Sequence, residues 1–252
     1  MKIYLLTLFP AFFEPFLKEG VIARAVDKGK VNLSIVNFRD FSQDKHNKVD
    51  DLPYGGGGGM VLKPGPIYRA FQSIPEDVRQ IATTIIPTPR GSLYNQAKAL
   101  EFAQKEAVII ISGHYKGMDE RIFDLIHAER VSIGDFVLAG GELPAIMIME
   151  SIARLLPGVL TDIDSAMSDS FTYKDYLLGY PVYTRPENFG GMKVPEVLLS
   201  GNHKNIKRWR LSEALRTTYK YRSELINKDN LSMNEKGLLK EVVSQERGKN
   251  DR

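Results

Sequence analysis

The sequence contains no cysteine among its 252 residues. This absence excludes thiolate nucleophiles, zinc sites that use cysteine sulfur and any disulfide framework. Nothing in the composition indicates an oxidising compartment, so we expect a cytoplasmic protein. The four histidines show no metal-ligand spacing, and we predict no metal site; they are His46, His114, His127 and His203.

Long apolar runs are missing as well. The longest later run, Leu143–Leu156, carries Glu150 and Arg154 and is shorter than the roughly 18 apolar residues that span a bilayer. The apolar start Lys2–Leu8 is followed by Pro10 and by no small-residue cleavage site, which is typical of a buried strand rather than a signal peptide. We therefore expect no membrane segment.

An excess of positive charge is confined to the C-terminal end. The net charge is only +3, yet residues 201–252 hold thirteen Lys and Arg against seven Asp and Glu. Trp209, Tyr219 and Tyr221 are interleaved with these basic residues, a pattern that suits RNA phosphates and unstacked bases. A solvated helix face with an apolar inner side explains the same composition equally well.

Short β-like runs alternate with helical segments through the first 160 residues. Val and Ile dominate these runs without clean alternation, which predicts parallel strands covered on both faces. The predicted strands are Lys2–Leu8, Val31–Asn37, Ile81–Ile86, Ala107–Ser112 and Glu129–Ile133. The predicted helices are Phe12–Asp27, Asn95–Gln104, Asp119–His127 and Glu142–Leu156. The predicted fold class is α/β with a mainly parallel sheet.

The chain changes character after this α/β part. Thr161–Thr172 is rich in Asp, Ser and Thr and predicts a flexible interdomain linker or mobile loop. Tyr173–Arg252 lacks strand-like runs and is predicted to be mostly helical. We therefore expect an α/β domain over residues 1–160, a linker over 161–172 and a small basic helical domain over 173–252.

Five consecutive glycines, Gly55–Gly59, form the most unusual segment. A flexible linker explains such a run, but Pro53-Tyr54 and Met60-Val61 flank it instead of polar spacer residues. A backbone without side chains also lets a ligand approach closely. The spacing fits neither the dinucleotide fingerprint nor a P-loop, so both of these phosphate-binding sites are excluded.

Three further glycine-bearing turns follow predicted strands, at Pro87–Gly91, Gly113–Gly117 and Gly134–Gly141. Ligands of open α/β sheets bind at the carboxyl ends of the strands, and such turns together line one pocket there. Their low charge suits a nucleoside-like ligand without phosphates. Each turn taken alone is also explained as a plain connection.

Arg154 and Asp169 are the candidate catalytic side chains. Arg154 ends an apolar helix, where it can pair with Glu150 four residues earlier or stabilise negative charge on a substrate. Asp169 offers a carboxylate for general base catalysis, but without further information it is only a surface acid.

Taken together, these segments resemble the bacterial tRNA (guanine-N1)-methyltransferase family of the trefoil-knotted SPOUT class. The matching stretches follow the family order from the first strand past Trp209, which is nearly the whole chain. They include Leu8-Phe9-Pro10, Gly20–Ala25, Phe38–Phe41, Val49–Met60, Asp119-Glu120-Arg121, Ser132–Pro144, Arg154, Pro157–Leu160, Asp169-Ser170, Tyr183–Pro186 and Trp209-Arg210.

The resemblance implies a homodimer with S-adenosylmethionine held in a C-terminal trefoil knot of the α/β domain, between two protomers. Knots are rare, and sequence periodicity does not predict one. The cofactor pocket implied by the family comprises Ile86, Pro87, Pro89, Gly113, Tyr115, Ile133, Gly134, Asp135, Phe136, Val137, Leu138, Gly140, Gly141 and Pro144. The family also implies that Gly59 approaches the target base and that Lys207, Arg208 and Arg210 bind the tRNA anticodon arm.

The implied activity is methyl transfer to N1 of the guanosine immediately 3′ of the anticodon, position 37. In this family Asp169 would accept the N1 proton and Arg154 would stabilise the negative charge that grows on O6. The alternatives are a non-catalytic RNA-binding relative, a SPOUT methyltransferase acting on another RNA position, and a scaffold without a ligand pocket.

Two turns depart from the family pattern: Thr88-Pro89-Arg90 differs mildly from the more usual Ser-Pro-Gln, and the turn Gly113–Gly117 differs more. The family usually has Gly-Arg-Tyr-Glu-Gly where this chain has Gly113-His114-Tyr115-Lys116-Gly117. The family glutamate is associated with the methionine end of the cofactor and with magnesium, so Mg2+ stays open as a second cofactor here. Because Lys116 brings a positive charge to this position, we expect Lys116→Glu to tighten the binding of S-adenosylmethionine.

Overall fold

The computed structural model describes residues 1–160, 169–174 and 177–250, with side chains to residue 248. The chain divides into two compact units, residues 1–161 and 162–252. Residues 161–168, most of the predicted linker, lie outside the described residues. No helix in the described ranges is both long and apolar enough to cross a membrane.

The first unit is built on a five-stranded sheet whose neighbouring strands are all parallel. Its strands are β1 (Lys2–Thr7), β2 (Asn32–Asn37), β5 (Thr83–Leu93), β6 (Ala107–Ile111) and β7 (Glu129–Ser132). The spatial order is β2-β1-β6-β5-β7. Two short strands, β3 (Asp50–Asp51) and β4 (Val61–Leu62), form a separate antiparallel two-stranded sheet. The predicted α/β class with a mainly parallel sheet is confirmed.

Seven helices are described in the first unit: α1 (Glu14–Lys18), α2 (Gly20–Asp27), α3 (Pro64–Gln72), α4 (Glu76–Ile81), α5 (Gln96–Ala103), α6 (Arg121–Leu125) and α7 (Glu142–Ala153). The prediction of helical character over Phe12–Asp27 agrees with the structure except at Glu19, where an extended residue ends α1 before Gly20 begins α2. That glycine adopts φ +93, a conformation that β-carbon sterics make costly for other residues.

Strand β6 is buried along its whole length, which explains its uninterrupted apolar sequence. Val108 and Ile110 pack in one hydrophobic cluster with residues of α2, α5 and α7. Ile109 and Ile111 belong to a second cluster with residues of α3 and α6. The alternation of a strand therefore divides the core into two layers, one on each face of the sheet.

Strand β5 continues seven residues beyond the predicted end at Ile86. Pro87 pairs with Val131 of β7, and the pairing then resumes with Ser92 at the same Val131. The intervening residues leave the ladder as a turn at the carboxyl edge of the sheet. Sequence alone did not reveal this continuation, because Pro and Gly are unfavourable in a strand interior.

The second unit contains α8 (Glu196–Leu199), α9 (His203–Tyr221), α10 (Met233–Asn250) and the antiparallel strands β8 (Asn188–Phe189) and β9 (Met192–Lys193). Its core brings Ala214 and Leu215 of α9 against Leu238 and Leu239 of α10. The sequence analysis did not predict this short hairpin within the segment it expected to be mostly helical. Two-residue strands joined by Gly190-Gly191 leave too short an apolar pattern to be recognised in the sequence.

Candidate functional site

The three glycine-bearing turns meet at the carboxyl ends of β5, β6 and β7, where they enclose a cavity of about 510 Å3. This is the edge at which parallel α/β sheets bind ligands. The wall includes the predicted residues Ile86, Pro87, Pro89, Gly113, Tyr115, Ile133, Gly134, Phe136, Val137, Leu138, Gly140, Gly141 and Pro144. Asp135 lies in the same turn but is not part of the wall.

The wall also contains Arg90, His114 and Lys116 of the predicted turns, and sequence reasoning missed Met118 and Phe123. The first three lie within the predicted turns, so their position was a usable signal. Met118 and Phe123 gave no such signal, because apolar residues near a helical segment are more typical of the core.

Two of the turns cross in close contact. His114 and Gly140 form an antiparallel bridge, and the amide of Gly141 donates to the carbonyl oxygen of Gly113 at 2.7 Å. A Cβ atom added to Gly141 would stand 2.9 Å from the backbone nitrogen of Gly113 and 3.0 Å from the Cα of Ser112. Because the obstacles are backbone atoms, only glycine permits this crossing.

The side chains of the wall carry positive charge but no negative charge. Arg90 and Lys116 line the cavity, whereas no Asp or Glu of the described chain does so. Glu120 bridges the guanidinium groups of Arg90 and Arg130 at 2.7 Å each, and Arg130 lies 4.4 Å from the centre of the Phe123 ring. Apolar side chains and backbone form most of the rest. These walls suit the flat, uncharged rings of a nucleoside-like ligand.

The five-glycine run is the loop between β3 and β4, so it does not connect the two units. The amide of Lys116 donates to the carbonyl oxygen of Met60 at 3.0 Å, which fixes the end of the run against the cavity turn. A Cβ atom at Gly57 would lie 3.4 Å from Lys116 Nζ, and one at Gly59 would lie 3.5 Å from Lys116 Cδ. The Lys116 side chain therefore extends along the glycine backbone.

The two candidate catalytic residues lie in different units. Arg154 caps the carboxyl end of α7, is half-buried, and donates its backbone amide to the carbonyl oxygen of Glu150 at 3.1 Å. Asp169 begins a turn in which its carbonyl oxygen accepts the amides of Thr172 at 3.2 Å and Tyr173 at 2.9 Å. Local backbone bonds thus fix the position of each residue. Within the described ranges, no group of three or more His, Cys, Asp or Glu residues is placed to hold a metal ion.

A second cavity, of about 980 Å3, lies within the second unit. Its wall contains the predicted substrate residues Lys207, Arg208 and Arg210, together with Lys174, Lys204 and Glu241. Arg208 pairs with Glu241 at 3.5 Å, so only part of the positive charge is neutralised locally. The remaining cations suit an anionic polymer such as RNA.

Two tyrosines outside the basic helix complete this second cavity. Tyr173 and Tyr180 contact each other edge to face with ring centres 5.4 Å apart, and the guanidinium of Arg210 lies 5.0 Å from the Tyr180 ring. Burial raises the pKa of the Tyr173 phenol. Sequence reasoning looked for aromatics only inside the basic segment. The contact shows that Arg210 is matched to an aromatic residue thirty positions earlier in the chain.

The first unit is thus an α/β unit with a backbone-walled cavity, and the second carries a cationic, tyrosine-containing cavity. A sequence model described as "tRNA (Guanine-1)-methyltransferase TrmD" matches residues 1–228. The chain therefore belongs to the tRNA (guanine-1)-methyltransferase family.

Curated relatives agree with this assignment over nearly full length. A protein of a Sulfurihydrogenibium species named tRNA (guanine-N(1)-)-methyltransferase is 51% identical over 96% of this chain and 94% of its own length. Proteins with the same name from Clostridioides difficile and Dehalococcoides mccartyi are 50% and 48% identical, over 91% and 99% of this chain and 99% and 100% of their own lengths.

Proposed function

We propose that the protein transfers a methyl group from S-adenosylmethionine to N1 of the guanosine immediately 3′ of the anticodon of tRNA. The observation that carries this proposal is the family match over residues 1–228, combined with one cavity whose wall contains all of the family's expected cofactor residues except Asp135. In this proposal residues 1–160 bind the cofactor and residues 173–252 bind tRNA in the cytoplasm.

The cavity fits an adenosine-containing ligand. Ile86, Ile133, Leu138 and Pro144 offer apolar contacts, and the glycines of the wall leave backbone groups free to approach the purine edge. When bound, S-adenosylmethionine supplies an electrophilic methyl group carried on a sulfonium sulfur. The turns of the wall hold the ligand in register with the base, and such positioning contributes much of the acceleration in a two-substrate reaction.

Asp169 acts as the general base in this proposal. N1 of guanine carries a proton and has no usable lone pair, so the Asp169 carboxylate must remove that proton before N1 can accept a methyl group. Arg154 stabilises the negative charge that develops on O6 as the proton leaves. The target guanosine leaves its stack to expose its Watson–Crick edge, and the bare backbone at Gly59 accommodates the base.

In this proposal the second unit binds the anticodon arm of the tRNA. Lys207, Arg208 and Arg210 line one cavity, and cations in such an arrangement bind a phosphate backbone by releasing counterions. This contact positions the RNA and carries no base specificity by itself.

The working form is a homodimer, with a trefoil knot at the cofactor cavity. Leu143 and Met147 are one turn apart on α7 and are 47% and 51% exposed, and the nearby turn leaves Val137 at 86%. Large exposed apolar side chains on neighbouring elements favour burial against a second copy. The tight crossing of the Gly141 and Gly113 segments supports the knot.

Transfer of radiolabelled methyl to an unmodified tRNA transcript tests the activity. The transcript carries two guanosines at the 3′ boundary of the anticodon, beside a control with adenosine at the target position, each with and without magnesium. We expect incorporation only into the guanosine transcript. Absence of incorporation by folded, dimeric protein would instead indicate an RNA-binding relative without turnover.

Single-turnover kinetics of Asp169→Asn test the general base. We expect the methylation rate to fall at least about a hundredfold, the usual scale for loss of a general base. The matched control is Asp124→Asn, an exposed acid of α6, which should keep the wild-type rate. An unchanged rate in Asp169→Asn contradicts the assignment.

A further inference from the structure

The charges in the cofactor cavity are the wrong sign for a cationic ligand. The charged wall residues of the described chain, Arg90 and Lys116, are both positive, whereas the sulfonium of S-adenosylmethionine is a cation. Arg90 is matched by Glu120, but no such partner accompanies Lys116 in the described ion pairs. A negative charge close to the wall would offset this repulsion of the sulfonium.

Glu142 is a buried carboxylate immediately behind this wall. It is the first residue of α7 and only 5% exposed. The hydroxyl of the fully buried Thr7 donates to Glu142 Oε1 at 3.1 Å, and the same Thr7 oxygen accepts the amide of Phe9 at 3.0 Å. The amino end of the helix also favours negative charge at this position. The carboxylate is therefore held in one orientation by β1 and α7 together.

Only a glycine separates this carboxylate from the cavity. A Cβ atom at Gly140 would stand 2.2 Å from Glu142 Oε2 and 2.9 Å from His114 Cδ2, and Gly140 and His114 both line the cavity. His114 Nδ1 accepts the amide of Tyr115 at 3.0 Å.

We propose that Glu142 provides the negative charge by which this cavity prefers a sulfonium cation to the neutral thioether left after methyl transfer. The inference rests on the proposed function, since it concerns the methyl donor. Glu142 acts through the Gly140 backbone and through space, so it is a positioning residue rather than a catalytic one. In the protein interior a single charge acts over several ångströms, because little water screens it.

Glu142→Gln tests this charge with little change in shape. Isothermal titration calorimetry gives Kd for S-adenosylmethionine and for S-adenosylhomocysteine, which differ in the charge on sulfur. We expect the first Kd to rise about tenfold and the second to change less than about twofold. The matched control is Glu106→Gln, an exposed acid at the amino end of β6, which should leave both constants unchanged. A purely structural role of Glu142 would raise both constants in proportion, and that result overturns the inference.

Two further measurements keep the test decisive if the glutamine variant folds poorly. Glu142→Asp retains the charge, so the ratio of the two Kd values should stay within about twofold of wild type even if both weaken. Wild-type protein should also bind sinefungin, whose amine replaces the sulfonium, more tightly than S-adenosylhomocysteine; equal binding contradicts the inference. If the wild type binds none of these ligands, the proposed function fails as well. If it binds them and methylates tRNA but the ratio is insensitive to Glu142, only the inference fails.

Discussion

The cavity of the first unit is walled mainly by backbone and apolar side chains, whereas the cavity of the second unit is walled by cations and tyrosines. The first depends on where glycines let two turns cross, and the second depends on which side chains two helices present. A backbone site is damaged by added atoms. A charge site is damaged by lost charge and by salt, so the two respond to different substitutions.

The largest effect should come from adding one methyl group to the backbone crossing. Gly141→Ala places a carbon against the backbone of Gly113 and Ser112, and overpacking of this kind costs up to about 3 kcal/mol. Urea unfolding should show this loss of free energy of unfolding, together with loss of cofactor binding. The control is Gly248→Ala, a helical position with open space, where we expect a gain below about 1 kcal/mol. Equal changes in the free energy of unfolding for the two substitutions would contradict the argument that the backbone crossing at Gly141 requires glycine.

The next largest effect is a pH dependence of the first unit. Burial raises the pKa of the Tyr94 phenol to about 12, although its hydroxyl contacts Ser151 Oγ at 2.5 Å. An unfolded tyrosine titrates near 10. The neutral phenol therefore stabilises the fold below pH 10, and this contribution is lost as pH rises toward 12. Between pH 9 and 12 the wild type should lose about 2 kcal/mol more than Tyr94→Phe in urea unfolding.

Tyr173→Phe is the counterpart in the second unit. Burial raises the pKa of this half-buried phenol in the same direction, so the variant should show a smaller version of the same difference. Identical pH profiles of both variants and the wild type would contradict the burial argument.

A smaller effect is expected from removing one cation of the second cavity. Lys207→Ala should weaken tRNA binding severalfold and reduce the slope of log affinity against log salt by about 1, as for loss of one phosphate contact. Filter binding across a salt series measures both quantities. Lys240→Ala removes the same charge from an exposed position of α10 outside the cavity and should leave the slope unchanged. Equal slopes for both variants would show that charge alone, without the cavity, governs binding.

The smallest effect concerns Lys116, the cation that stands where the family usually has a glutamate. Lys116→Glu replaces a positive charge in the cofactor wall, and we expect Kd for S-adenosylmethionine to fall by about threefold because the site is exposed and screened. Lys45→Glu, the same change at an exposed residue of the first unit, is the calorimetric control. A weaker Kd for Lys116→Glu would mean that the ammonium binds the ligand.

The contrast between the two units also explains what the sequence could predict. Buried parallel strands have uninterrupted apolar sequences, so the strand Ala107–Ile111 was recognisable. Because parallel α/β sheets bind ligands at the carboxyl ends of their strands, the three turns could also be predicted as a pocket. The continuation of β5 to Leu93 was not recognisable, because its pairing depends on Val131 of a distant strand. The contact between Lys116 and Gly57 was not recognisable either, because it also joins residues that are distant in the sequence.

In the second unit the composition indicated a basic surface but not its aromatic wall. Tyr173 and Tyr180 precede the basic helix by many residues, and only the packing of the unit brings them to Arg210. The short hairpin at Asn188–Lys193 is likewise held by two pairs of residues, fewer than periodicity can detect. The spacing of residues in a sequence predicts which side chains are neighbours on one helix or strand. These contacts join different helices and strands, so spacing could not predict them.

The pairing of Lys2 in β1 with Ala107 in β6 has a consequence for folding during synthesis on the ribosome. Strand β1 is synthesised first, yet its neighbour at the centre of the sheet exists only after Ala107 has been translated. Until then one edge of β1 is open, with Ile3 and Leu5 deprived of the neighbours that bury them in the finished chain. A chain released before that point is therefore an aggregation-prone fragment, and growing chains of this length are expected clients of ribosome-associated chaperones.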